Sequence, residues 1–274
     1  MNRIDALFAR LKSEDRRALM PFLTAGDPDL ATTAALIPEL ARRGADVFEI
    51  GIPYSDPVAD GPVIAASFHR ALVQGVRVAH VFQTLRALRA EKDATVGETP
   101  MVAMVSYSIV NKIGVDGFLD DAAAAGLDGL IVPDLPVEES TPLAEKAGRR
   151  DLKLIQLITP ATPRPRAAEI ARLATGFIYY VSVAGTTGER KALPEDLKEN
   201  VAWLRTQTEL PICIGFGIGS PSQVRELAEV ADGLIVGSAL IRRLADAANR
   251  ARADVVKEAG DFVGDLAAAL RPGP

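Results

Sequence analysis

Two carboxylates that could share one reaction stand close together in the segment FEIGIPYSDPVADGP, residues 48–62. Glu49 lies inside a short apolar run that reads as a strand, and Asp60 follows in a loop stiffened by prolines. In a strand the side chains alternate, so Val47, Glu49 and Gly51 share one face while Phe48 and Ile50 share the other. A carboxyl group drawn out of water is pushed toward its neutral form. Such a group can give a proton near neutral pH and take one back, which is general acid/base chemistry. The competing reading is a buried glutamate paired with a basic group. The expected strands supply no arginine and a single lysine, Lys153, at a strand start and therefore at the far end. Pro53, Pro57 and Pro62 restrict φ and lower the entropy of the loop. That stiffness would hold Asp60 at a fixed place near Glu49. Asp56 and Asp60 can also be read as ordinary turn or capping residues. Asp60-Gly61-Pro62 further reads as the start of a helix with Pro62 at its first position.

A second kind of chemistry is suggested by two glycine clusters, GFGIGS (215–220) and VGSA (236–239), each between a strand and a helix. Glycine lets the backbone approach a ligand closely, and backbone N–H groups at a helix start bind anions. Gly217, Gly237 and Ser238 are therefore candidate phosphate-binding positions. A dinucleotide-binding turn would need a third glycine where Ser220 stands and an acid at the end of the next strand, where Gly237 and Ser238 stand instead. The polar segment AGTTGERKALPED (184–196), with Arg190 and Lys191, reads either as a mobile lid or as a solvated loop. His69 and His80 fall on helical stretches with no metal-spaced partners, so no metal is expected, and Cys213 reads as a core residue.

The elements that must position these groups alternate regularly. Strands are expected at 19–24, 47–52, 101–107, 129–134, 153–159, 176–183, 212–217 and 233–238, with helical patterns between them. The helix beginning after Asp29 and stopping at Gly44 has ordinary start and stop signals. Most strands are continuous apolar runs, the pattern of a parallel sheet covered on both faces. Eight strand–helix units predict an α/β fold of the (β/α)8 or TIM-barrel type, for which ~250 residues is typical. An extra N-terminal helix is expected over 2–12, with Ile4, Leu7, Phe8 and Leu11 on one face. ARRGADVFEIG, AAAGLDGLIVPD and AEVADGLIVGS echo one another, each running through an aspartate into a strand. The 274 residues are expected to form a single domain, with a frayed tail at about 270–274.

Composition narrows the function classes. Apolar residues make up 48% of the chain, enough for a large core, and the net charge is −5, without a basic patch that would suit nucleic acid. One cysteine cannot form a disulfide within the chain, which suits a reducing cytoplasm. The charged N-terminus does not read as a secretory signal. No apolar run approaches the ~18 residues of a membrane span.

Taken together, PFLTAGDP (21–28), FEIGIPYSDPVADGP (48–62), VPDLPVEES (132–140), YYVSVAGTTG (179–188), GFGI (215–218) and VGSA (236–239) resemble the tryptophan synthase α-subunit family, in order and over nearly the whole chain. The resemblance implies a (β/α)8 barrel that cleaves indole-3-glycerol phosphate to indole and glyceraldehyde 3-phosphate. It implies that Glu49 is the acid/base and that Asp60 hydrogen-bonds the indole N–H. It places Gly188, Gly215, Gly217, Gly237 and Ser238 at the phosphate, Thr187 on the lid that closes over Asp60, Tyr179 beside the glutamate, and Phe22 on the indole pocket. It also implies an α2β2 assembly with a β chain that carries pyridoxal phosphate, no cofactor in this chain, and loops 53–61 and 184–194 at the interface. One departure is clear: the family usually carries Tyr-x-Asn after the third strand, where Ser106 and Ser108 stand here. A stand-alone lyase, a non-catalytic barrel that activates a β chain, and another phosphosugar barrel are the competing functions.

Overall fold

The computed structural model describes residues 1–57, 60–91, 93–181, 196–215 and 217–271. Helix α1 (Arg3–Ser13) precedes the first strand. Strand β1 (Ala18–Thr24) leads to α2 (Leu30–Arg42), and β2 (Phe48–Gly51) leads to α3 (Pro62–Val73), α4 (Val78–Ala90) and the short α5 (Ala94–Glu98). Strand β3 (Met101–Met104) is followed by α6 (Tyr107–Ile113) and α7 (Val115–Ala124), and β4 (Gly129–Ile131) by α8 (Val137–Gly148). Next come β5 (Lys153–Ile158) with α9 (Arg164–Leu173), and β6 (Ile178–Val181) with α10 (Leu197–Arg205). Last are β7 (Ile212–Gly215) with α11 (Pro221–Ala228), and β8 (Gly233–Val236) with α12 (Ser238–Leu244) and α13 (Arg252–Ala269). Every neighbouring pair is parallel, and β8 pairs back onto β1, so the sheet closes into the expected barrel.

The strands are buried on both faces, as their apolar runs require: all seven residues of β1 are buried, and all four in each of β2, β3 and β8. The register decides which residues face inward. Phe22 is level with Glu49, Glu49 with Val102, and Val102 with Gly129. On the other side Tyr179 is level with Cys213, Cys213 with Gly233, and Gly233 with Ala18. A side chain on Gly129 would fall 2.8 Å from Ile155 Cδ1 and 3.3 Å from Cδ1 of Ile4, the α1 residue that closes the floor. The face shared by Gly129, Glu49, Phe22, Tyr179 and Cys213 is therefore the barrel interior. Lys153 is spent on the floor, where its Nζ lies 2.6 Å from Asp5. Among the described residues its ion pair is with Asp5, not Glu49.

The faint sequence echo has a physical counterpart at this floor. Asp46, which precedes β2, accepts a hydrogen bond from Leu19 N–H at 3.0 Å and donates its own N–H to Leu19 C=O at 2.8 Å. Asp128 before β4 makes the same reciprocal pair with Met101, and Asp232 before β8 with Ile212. Thr175 before β6 makes it with Leu154 through its hydroxyl. Each stitch thus satisfies a backbone N–H at the beginning of an odd-numbered strand, which has no ladder partner there. Arginines neutralise the aspartates: Arg16 at Asp46, Arg3 and Arg89 at Asp128, and Arg205 at Asp232.

Strand ends differ from the expectation. The third strand stops at Met104 rather than 107, because Ser106 caps α6 by accepting from Ser108 N–H and Tyr107 N–H turns to Asp134. Strands two, four and eight are likewise shorter at their C-terminal ends, and Ser238 opens α12 instead of closing a strand. Helix α13 runs to Ala269, and Leu270 packs on the core. Residues 272–274 lie outside the described residues.

Candidate active site at the barrel mouth

Glu49 points into the barrel near the C-terminal end of β2, the end at which barrel active sites form. It is 1% exposed, and among the described residues its Oε2 has no hydrogen-bond partner. Burial drives its pKa up to about 8, with the charge of Asp60 adding to the effect. The ion-pair reading therefore fails among the described residues. A buried, unpaired and protonated carboxyl group is costly unless something else uses it.

Asp60 lies just before α3, which begins with Gly61 as N-cap and Pro62 at its first position, as expected. Burial raises its pKa as well, opposed by a hydrogen bond that Tyr54 donates. That bond, from Tyr54 Oη to Asp60 Oδ2, measures 3.2 Å. Helix α3 is itself tied to β1 and its loop. Thr24 and Ser67 share a hydroxyl–hydroxyl hydrogen bond of 2.6 Å, and Arg70 clamps the buried Asp27 through two bonds of 2.8 and 2.7 Å. The start of α3, and with it Asp60, is placed by the core as well as by the prolines.

Glycines shape the rest of the mouth. A Cβ on Gly51 would sit 2.5 Å from the Phe22 ring and 3.0 Å from Phe68, so the absent side chain leaves Phe22 its place beside Glu49. Gly215 does the same for Tyr179, whose ring and hydroxyl lie 2.9 Å from where a Cβ would be. Tyr179 is held neutral by burial and by the charges of Glu49 and Asp60, which places its ring near both carboxylates. Gly237 caps α12 with no side-chain hydrogen bond, and its Cβ position would be 3.7 Å from Phe22 Cβ. The first N–H groups of any helix lack intrahelical partners, and here those groups belong to the stretch that begins with the buried Ser238. Gly217 adopts φ +58°, a conformation that favours glycine.

Glu49, Asp60, Phe22, Tyr179, Gly215, Gly217, Gly237 and Ser238 all come from the C-terminal ends of strands or the loops that follow them. Thr187 and Gly188, with the whole segment 184–194, lie outside the described residues. His69 and His80 are exposed on α3 and α4, and Cys213 is buried in the interior. Among the described residues no group of His, Cys, Asp or Glu could hold a metal ion, and no helix is long and apolar enough to cross a membrane. Sequence reasoning missed Tyr54, Phe68 and the Asp27–Arg70 clamp. A tyrosine within the same proline-rich loop was the signal available for the first.

The comparisons agree with this geometry. A family model described as tryptophan synthase alpha chain matches residues 8–271. A protein of that name from Rhodopirellula baltica is 52% identical over 99% of this chain and 98% of its own. Another, from Caldanaerobacter subterraneus, is 41% identical over 96% and 97%. The crystal structure of the alpha chain from Legionella pneumophila superposes with a TM-score of 0.87 at 36% identity, covering 98% of this chain and 97% of that one. A structure of Mycobacterium tuberculosis tryptophan synthase gives 0.88 at 33%, covering 99% of each. A closed parallel barrel, an inward glutamate on its second strand and similarity along its whole length lead to one conclusion: the chain belongs to the tryptophan synthase alpha chain family.

Proposed function

We propose that this site cleaves indole-3-glycerol phosphate by a retro-aldol reaction, with Glu49 as proton donor and acceptor and Asp60 as the partner of the indole nitrogen. Membership of the family makes the chain a carbon–carbon lyase of tryptophan biosynthesis. The observation that carries the assignment of residues is the buried, unpaired Glu49 with Asp60 close enough to raise its pKa.

The chemistry follows from those two groups. Neutral Glu49 delivers its proton to indole C3, leaving positive charge on the ring nitrogen. The Asp60 carboxylate accepts the N–H hydrogen bond and stabilises that charge, and it is most effective when held in place beforehand. Glu49, now a carboxylate, removes the proton from the side-chain hydroxyl next to C3. The C3–carbon bond breaks, its electrons return to the ring, and indole and glyceraldehyde 3-phosphate result. One proton enters and one leaves, so Glu49 ends the cycle as it began. Phe22 and Tyr179 would flank the indole. Gly217, Gly237 and Ser238 would hold the phosphate on backbone N–H groups, with Gly188 and Thr187 completing the site from the segment outside the described residues. Gly215, assigned to the phosphate from the resemblance, would also keep room for Tyr179.

The family implies a β-chain partner. We extend this to an α2β2 complex in which the β chain holds pyridoxal phosphate, this chain needs no cofactor, and loops 53–61 and 184–194 face the partner. A cytoplasmic location fits the single, buried Cys213. The decisive experiment is indole release from indole-3-glycerol phosphate by the purified chain, alone and with a family β chain. Slow release that rises strongly with the β chain is expected. Fast release without it would favour a stand-alone lyase, and no release with either would remove the catalytic assignment.

A further inference from the structure

We propose that Tyr54 is a positioning residue for Asp60: its phenol holds one carboxylate oxygen so that the other is presented to the indole nitrogen. The proposal rests on the role given to Asp60 above and deepens it. Tyr54 Oη donates to Asp60 Oδ2 at 3.2 Å. The Tyr54 ring lies against Phe68 with centroids 5.2 Å apart and planes tilted by 58°, and Phe68 lies 6.4 Å from Phe22. Phe68 is wholly buried. An aromatic column thus runs from the pocket residue Phe22 through the core to the loop that carries Asp60. The phenol is placed by that column, so Asp60 is held by an atom whose position does not depend on the loop alone.

The neighbouring loop has no hydroxyl engaged with Asp60. Ser106, where the family usually has a tyrosine, gives its hydroxyl to Asp134 at 2.7 Å and shares a 2.7 Å hydrogen bond with Ser108. Tyr107 contributes its backbone N–H to the same Asp134, again at 2.7 Å. The charges and titratable groups around the Tyr54–Asp60 pair are Glu49 from β2, Tyr179 from β6, Asp134 after β4 and Asp56 in the same loop. Asp60, Asp134 and Asp56 all disfavour a negative charge on the Tyr54 phenol, which stays a donor, and the described hydrogen bond that favours the ionised Asp60 comes from Tyr54.

Tyr54→Phe tests this, because it keeps the ring against Phe68 and removes only the hydroxyl. In the chain assembled with a family β chain, kcat for indole release is expected to fall roughly tenfold, the scale of a hydrogen bond to a charged group. The acid limb of the kcat/KM profile should move to higher pH, since Asp60 would protonate more readily. In an Asp60→Asn background, read by single turnover, Tyr54→Phe should add no further loss. Unchanged kcat with an unchanged pH profile would overturn the proposal, as would an equal loss in the Asp60→Asn background. A parent protein that releases no indole would instead overturn the reading of the site itself.

Discussion

Removing Glu49 from water makes it a useful acid and a drain on stability, and both effects can be measured. With a folded-state pKa of about 8, it is protonated at neutral pH and ready to donate. Activity should therefore decline as pH rises through about 8, seen as an alkaline limb in kcat/KM. The unfolded chain loses this proton near 4.5, whereas the folded chain keeps it to about 8. Between those values the unfolded state binds fewer protons, so wild-type stability falls as pH rises. Glu49→Gln should abolish cleavage while still binding substrate. It should also unfold at a higher temperature than wild type, with the gap absent at pH 4 and on the order of 3 kcal/mol at pH 7. Thermal melts across that range, beside an indole assay, test both halves. Equal melting at pH 7 would argue that the carboxyl group is less desolvated than the structure shows. Asp60→Asn keeps the shape but not the charge and should lose most turnover. An unchanged rate would remove Asp60 from the mechanism.

At the scale of the elements, glycines in the strands decide which side chains enter the mouth. Gly51 lies next after Glu49 on the inward face, and the space over it belongs to Phe22 and Phe68. Gly51→Ala would push both rings, and overpacking of this kind costs about 1–3 kcal/mol. Because Phe22 is proposed to flank the indole, KM should rise as well. Gly148, at the end of α8, has nothing within 4 Å of its Cβ position. Gly148→Ala is the control and should leave KM unchanged and stability unchanged or raised by up to about 1 kcal/mol. Steady-state kinetics and urea melts of the two variants separate a shape requirement from a general intolerance of substitution.

At the scale of the molecule, the barrel divides its labour between its ends. The floor carries stitches and arginines, and the mouth carries the unpaired acid. Asp128 is the most heavily bonded of the three floor aspartates: it takes hydrogen bonds from Arg3, Arg89 and the Met101 N–H, and it is 3% exposed. Arg89 in addition donates to the carbonyls of Val96, Thr99 and Gly126, which joins α4 to α5 and to the turn after α7. Asp128→Ala would strand these donors, and breaking a buried pair costs about 3–5 kcal/mol. A urea midpoint lowered accordingly, with kcat of the folded protein retained, is the expected result. A large loss of kcat at full stability would show that floor and mouth are coupled. We propose that the barrel unfolds as a single domain, so this loss should appear in one transition.

The sequence by itself determined the class of fold and the chemistry at its centre. Continuous apolar runs separated by helical periods admit a covered parallel sheet, and alternation within 47–52 assigns Glu49 to the face opposite Phe48 and Ile50. It overran the strand ends because an apolar run reports burial, which continues past the last strand residue: Ile52, Val105 and Val132 are buried although their strands have ended. Tertiary structure alone decided the rest. Tyr54 is one aromatic in a loop until the fold sets Phe68 under its ring and Asp60 before its hydroxyl. That Gly215 also leaves room for Tyr179 shows only when the adjacent strand brings that ring over it. The echoed aspartates are a faint repeat until closure of the barrel puts each beside the first residues of a neighbouring strand. Composition and period are local properties of a chain, whereas the partner of a buried polar group is chosen by whichever segment the fold brings within 3 Å of it.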